Sequence, residues 1–252
     1  MRLHKDYERI KIAVIDGYVN TNLLNKNVKR KSFLCEKVPK GNTHGTIVTS
    51  KIIDECPEAE ITCIEILNKS NRCKMDNLMK ALEYVEKQKF HIVNISLGCE
   101  TLEFETKIRL QNICNRILQK GTIIFAAKSN KGGASFPADI NGIVEIGCDP
   151  YQEDIYSVNI KEKTILFKRN IISLIANGIL GTYKGNSFLC PWVVGVFGNY
   201  LFRNCGNKTN NVDEFLLYLI EVRNEFGSKI YGEIDLKVGC KSTYIFQGKA
   251  PY

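Results

Sequence analysis

Short apolar runs alternate with amphipathic segments along most of this chain, and that alternation confines it to the α/β architectures. Residues 10–16 (IKIAVID), 61–67 (ITCIEIL), 91–98 (HIVNISLG), 121–127 (GTIIFAA) and 142–147 (GIVEIG) are nearly unbroken apolar stretches. Runs of this length and continuity read as strands covered on both faces. Between them, Leu78, Ala81, Leu82 and Val85 stand at helical spacing and predict a helix over 76–89. Leu110, Ile113, Cys114 and Ile117 mark another, and Phe215, Tyr218, Leu219 and Val222 a last one. Thr43 can cap a helix running from His44 to about Cys56, and a further helix begins at about Ser187. Strands that alternate with helices in this way imply a mostly parallel sheet with helices on both faces, a three-layer α/β fold. With 252 residues, 44% of them hydrophobic, the expected organisation is one domain over 1–252. The stretch 232–252 has no clear period and reads as a strand or a strap.

Several function classes are excluded at this level. No run of 18 apolar residues exists, and the longest apolar region, 188–202, is interrupted by Pro191, Gly195, Gly198 and Asn199. A transmembrane helix is therefore not expected. The N-terminus, MRLHKDYERI, lacks an apolar signal core. The ten cysteines are scattered, with no CxxC pair and no histidine at zinc-ligand spacing. They read as free core thiols in a reducing compartment, and the expected location is cytoplasmic. Neither a metal site nor a cofactor is expected. The formal net charge is +8 without a basic block carrying interleaved aromatics, so nucleic acid is not an expected partner. That charge can steer acidic peptide segments toward the surface.

Three residues stand where the chain changes element. Asp16 ends the first apolar run, while His44 and Ser187 each open a helical one. A serine hydroxyl is a weak nucleophile until a base takes its proton, and histidine is the side chain suited to that near neutral pH. Of the three histidines, His4 lies in the terminus and His91 starts a strand, which leaves His44 as the credible base. Asp16 would hold the imidazole in one tautomer and stabilise its charged form. Each residue also has a plainer role: Asp16 as a turn residue, Ser187 as a helix N-cap. Asn130, in FAAKSNKGG, is either a turn residue or a side-chain amide donor to an oxyanion. Cys190 lies one turn into the Ser187 helix with no base of its own, and packing explains it best.

The chain resembles the subtilisin-like serine proteases, the subtilases. IAVIDGY is similar to their strand-Asp motif, THGT to their His motif and GNSFLCP to their Ser motif, with Asn186 where Thr is usual. NISLG resembles their substrate-binding strand. AAKSN resembles their oxyanion-Asn segment, with Lys128 and Ser129 for the usual Ala and Gly, and SFPA their turn behind the specificity pocket. The segments occur in the family's order over residues 10 to about 225. The resemblance implies catalysis by Asp16, His44 and Ser187 with Asn130 at the oxyanion. It implies a peptide or protein substrate bound as an extended strand on Ser96, Leu97 and Gly98. The pocket would lie between that segment and Ala127, Lys128 and Ser129, with Ser135 near its floor. Lys128 and Lys131 flank Asn130 beside it; they are either part of a solvated turn or, Lys131 above all, a cation that favours an acidic or polar residue just before the scissile bond. Two departures from the family's pattern are expected: no calcium-binding insertion after the His helix, and, with 15 residues before Asp16, no propeptide. Trp192 replaces a residue that is usually His. The expected function is an intracellular serine endopeptidase, with leader removal from a precursor peptide as a specific form. The alternatives are a general degradative protease and an inactive peptide-binding module.

Overall fold

The computed structural model describes residues 9–34, 43–176, 179–204 and 212–222. In chain order the elements are β1 (Lys11–Gly17), a 3-10 turn at Thr21–Leu23, β2 (Lys29–Ser32), α1 (His44–Glu55), β3 (Glu60–Leu67), α2 (Met75–Lys87) and β4 (Ile92–Ile95). They continue with α3 (Phe104–Gln119), β5 (Ile123–Ala127), β6 (Val144–Cys148), β7 (Tyr156–Asn159), β8 (Thr164–Phe167), β9 (Ile171–Ala176) and β10 (Ile179–Lys184). Helices α4 (Asn186–Arg203) and α5 (Val212–Glu221) close the described chain. The stretch 232–252 lies outside the described residues.

Eight strands form one sheet in the order β2-β3-β1-β4-β5-β6-β8-β7, all neighbours parallel except the antiparallel β7–β8 pair. Side chains of a strand alternate between faces, and β1 divides accordingly. Ile12 and Val14 join a core with Val48 and Ile52 of α1, Val193 and Phe197 of α4 and Phe215 of α5. Ala13 and Ile15 join a second core with Leu82 and Val85 of α2 and Leu110 and Ile113 of α3. This is the three-layer α/β fold, with helices on both faces, that the alternation implies.

The differences from the sequence reading have local causes. Strand β2 is KRKS and wholly exposed, so it carries no apolar pattern; it is held at the sheet edge by pairing with β3. Strand β4 stops at Ile95, where the ladders to β1 and β5 both end, so Ser96–Gly98 lie past the strand rather than in it. Strand β5 starts two residues late because Gly121 has φ 83° and turns the chain after α3. Helix α4 has no polar face: buried on nearly every side, it runs through the core beneath the sheet. Trp192 is one of its packing residues, set edge-on to Phe167 at 5.7 Å.

Candidate active site

The site is assembled from the ends of β1, α1 and α4. Asp16 is the penultimate residue of β1 and fully buried. Helix α1 is capped by Thr43, whose Oγ1 accepts from the Thr46 amide and donates to the Tyr18 carbonyl. Its first turn packs directly on the end of β1: a Cβ added to Gly45 would lie 2.4 Å from the Gly17 carbonyl oxygen. That approach brings His44 to Asp16, and its Nδ1 lies 2.8 Å from Asp16 Oδ1. Asp16 Oδ1 also accepts from the Gly17 amide at 2.6 Å, while Oδ2 is buried without a partner among the described residues. On the other side of the ring, His44 Nε2 lies 3.0 Å from Ser187 Oγ. Phe188 packs against the imidazole with ring centroids 4.9 Å apart.

Ser187 is the second residue of α4, not its cap; Gly185 holds the cap position. The helix N-terminus leaves first-turn amides without intrahelical acceptors, Ser187 N–H among them. Asn130 faces the same spot. A Cβ placed on Gly185 would be 3.5 Å from Ser187 Oγ and 3.6 Å from both amide atoms of Asn130. Asn130 Oδ1 accepts from the Asn186 amide at 2.7 Å, with a longer 3.5 Å contact from Asn170 Nδ2. With its oxygen held, the Asn130 amide nitrogen remains available as a donor beside the serine.

The arrangement can move a proton from Ser187 to His44 and stabilise the charge that results. Burial alone pulls the His44 pKa down, but the charge of Asp16 and its hydrogen bond outweigh burial, and the net shift is upward. Among the described residues the thiols offer no rival. Burial pushes Cys56 up to about 11 and Cys63 and Cys114 up to about 12, and Cys190, fully buried, is also pushed strongly upward.

The remaining predicted residues lie at or past the ends of β4 and β5. A Cβ on Gly98 would lie 2.7 Å from Ser135 Oγ and 3.7 Å from the Ala127 carbonyl oxygen, so these three residues meet. Ser135 is buried, Leu97 is half-buried, and Gly98 is exposed. The Ser96 side chain turns inward and accepts from Asn94 Nδ2 at 2.9 Å, leaving its backbone as the part that can face a ligand. Ser129 Oγ donates to Glu100 at 2.8 Å and accepts from the Lys131 amide. The Lys128 ammonium pairs with Glu145 on β6, so its charge is already engaged. Missed in the sequence reading was Asn186, whose amide group donates to the carbonyl oxygens of Lys128 and Ser129; its only signal was its place beside Ser187. Among the described residues no cluster of three His, Cys, Asp or Glu side chains suits a metal ion, and no helix is long and apolar enough to cross a membrane.

A serine, histidine and aspartate in hydrogen-bonded series at the carboxyl end of a mostly parallel, helix-covered sheet mark a class of α/β proteins. Within it, the chain belongs to the subtilase family, whose family model matches residues 8–204. It is 23% identical over 173 residues to an intracellular serine protease of Paenibacillus polymyxa, covering 61% of this chain and 52% of the relative. It is 24% identical over 204 residues to the M-protease of Shouchella clausii, covering 74% and 52%. The chain thus spans about half the length of the curated relatives it matches. Among solved structures, a prenylagaramide maturation protease superposes with a TM-score of 0.66 at 20% identity, covering 84% of this chain and 82% of the other. The epidermin leader peptide processing serine protease of Staphylococcus aureus superposes with a TM-score of 0.63 at 17% identity, covering 84% and 70%.

Proposed function

We propose that this protein is a serine endopeptidase acting through Asp16, His44 and Ser187. The observation that carries the reading is the continuous relay, 2.8 Å from Asp16 Oδ1 to His44 Nδ1 and 3.0 Å from His44 Nε2 to Ser187 Oγ. Ser187 Oγ attacks the scissile carbonyl while His44 takes its proton, and Asp16 stabilises the imidazolium. The Ser187 N–H and Asn130 Nδ2 hold the oxyanion. His44 then gives the proton to the leaving amine, and an acyl group remains on Ser187. Water, deprotonated by His44, releases it. The substrate lies extended along Ser96, Leu97 and Gly98. The side chain before the scissile bond enters the cleft bounded by Ala127, Lys128 and Ser129, with Ser135 at its floor and Lys131 at its mouth.

The specific form we favour is cytoplasmic removal of a leader segment from a precursor peptide. The structural likeness to two proteases whose names state maturation or leader processing supports it, as does the intracellular relative. A serine-directed fluorophosphonate should label the wild type and not Ser187→Ala, and a peptide chosen by wild-type cleavage should be cut by neither Ser187→Ala nor His44→Ala. Wild-type turnover by Ser187→Ala would sink the reading and leave a peptide-binding module.

A further inference from the structure

We infer that Asn186 is the positioning residue of the oxyanion site, aiming the Asn130 amide through two separate connections. This rests on the endopeptidase reading. Asn186 is the first residue of α4 and is 2% exposed. Its backbone N–H donates to Asn130 Oδ1 at 2.7 Å, and its side-chain Nδ2 donates to the carbonyl oxygens of Lys128 at 3.1 Å and Ser129 at 3.2 Å. One residue therefore grips both the Asn130 side chain and the backbone that carries it.

The side-chain orientation is forced. Rotating the amide by half a turn would set Oδ1 against two carbonyl oxygens, acceptor against acceptor. The orientation also leaves Asn186 Oδ1 buried without a partner among the described residues. A buried unsatisfied acceptor is uncommon enough to need a reason, and holding the loop 128–130 by two donors supplies one. The loop needs holding because it is built from polar residues beyond the end of β5. Lys128 is fastened outward to Glu145 and Ser129 to Glu100, and Asn130 is exposed. An oxyanion donor works only when already in place, since its hydrogen bond must strengthen on charge that develops in the transition state. Because Asn186 immediately precedes Ser187, its grip also sets the Asn130 donor at a fixed offset from the nucleophile.

The experiment is a double-mutant cycle with Asn130. In otherwise wild-type protein, Asn186→Ala is expected to lower kcat by roughly 10- to 100-fold, the scale of a small misplacement of a reacting group, with KM nearly unchanged. In the Asn130→Ala background the same substitution is expected to cost almost nothing, because no amide remains to be aimed. Equal losses in both backgrounds, or no loss in either, would overturn the inference. Should Asn186→Ala fail to fold by circular dichroism, Asn186→Ser, which keeps one donor, carries the same cycle with a smaller loss. A readout independent of turnover separates this inference from the endopeptidase reading. In 15N-asparagine-labelled protein, the Asn130 side-chain amide resonances should shift or broaden in Asn186→Ala even if no peptide is cleaved. Unchanged resonances would count against the positioning role whatever the activity.

Discussion

Asp16 holds His44 and sets its charge at the same time. The upward shift of the His44 pKa comes from Asp16 against the pull of burial, and it has two consequences of opposite sense. The charged imidazolium is favoured in the folded state, so its contribution to stability is present below the unfolded value of about 6.5 and is lost as pH rises through the higher folded value. Under the proposed endopeptidase mechanism, activity needs the neutral imidazole and so follows the reverse course, rising as pH climbs through that folded value. The acid limb of kcat/KM should therefore fall above the ordinary histidine value. Asp16→Asn should move the limb down and cut the plateau by about 10⁴-fold, the cost of the wrong tautomer in a related triad. A pH–rate profile of both proteins measures this, and an unmoved limb would refute the electrostatic role of Asp16. Asn130→Ala should lower kcat by about 100-fold or more with little change in KM, as loss of a single oxyanion donor does elsewhere.

The helices place what the residues do. His44 and Ser187 lie at the N-termini of α1 and α4, and these helices pack closely. A Cβ on Gly195 of α4 would come within 2.6 Å of Glu55 Cβ on α1 and 3.2 Å of the Ile52 carbonyl oxygen. Neither neighbour can swing aside, because one is a Cβ and the other backbone. Gly195→Ala should therefore push the helices apart, costing about 1–3 kcal/mol in denaturant melts, as overpacked cores do. It should also lower kcat more than KM as the His44–Ser187 contact lengthens. The sheet edge shows a second dependence. Glu65 on β3 is 2% exposed and receives Arg30 of β2 through two hydrogen bonds, 2.7 and 3.1 Å, together with the Val19 amide. Arg30 also stacks over Tyr18, two residues beyond Asp16, at 4.6 Å. Arg30→Met would leave a buried carboxylate without its cation. A loss toward the low end of about 3–5 kcal/mol is expected, since Arg30 is partly exposed, and Arg30→Met/Glu65→Leu should recover much of it.

At the scale of the whole molecule, the strand order explains why the site lies where it does. After β1 the chain runs to the edge strand β2, returns to β3 beside β1, and then crosses to β4, β5 and β6 on the other side. Ligands of open α/β sheets bind beyond the carboxyl ends of the strands at such a reversal, and Asp16, the Ser96–Gly98 segment and Ala127 all follow or end strands there. The sequence leads us to expect no calcium site of the family's kind after the His helix. A chelator should thus leave the melting temperature within about a degree. A drop of many degrees, restored by calcium, would show that a metal holds the fold after all; with a domain of this size each kcal/mol lost moves the transition by about 2–4 °C.

The alternation of apolar runs and helical spacings determined the layered α/β fold, because strands buried on both faces must be unbroken and covering helices must be one-sided. The order of Asp16, His44 and Ser187, each at an element boundary, was equally legible, and so was Thr43 as the cap of α1. Strand β2 was not, since an edge strand with exposed side chains needs no apolar pattern, only a partner to pair with. The end of β4 at Ile95 was decided by where its neighbours stop, which no local signal records. The pairing of Lys128 with Glu145 of β6 has no signal in the sequence, since only the sheet brings them together. In the sequence Asn186 is only a departure from the family's usual Thr. Its meaning came only when the fold set it against the carbonyl oxygens of Lys128 and Ser129. Hydrogen bonds between residues more than fifty positions apart depend on the packed arrangement of β5 and α4, and a one-dimensional pattern of polarity carries no information about them.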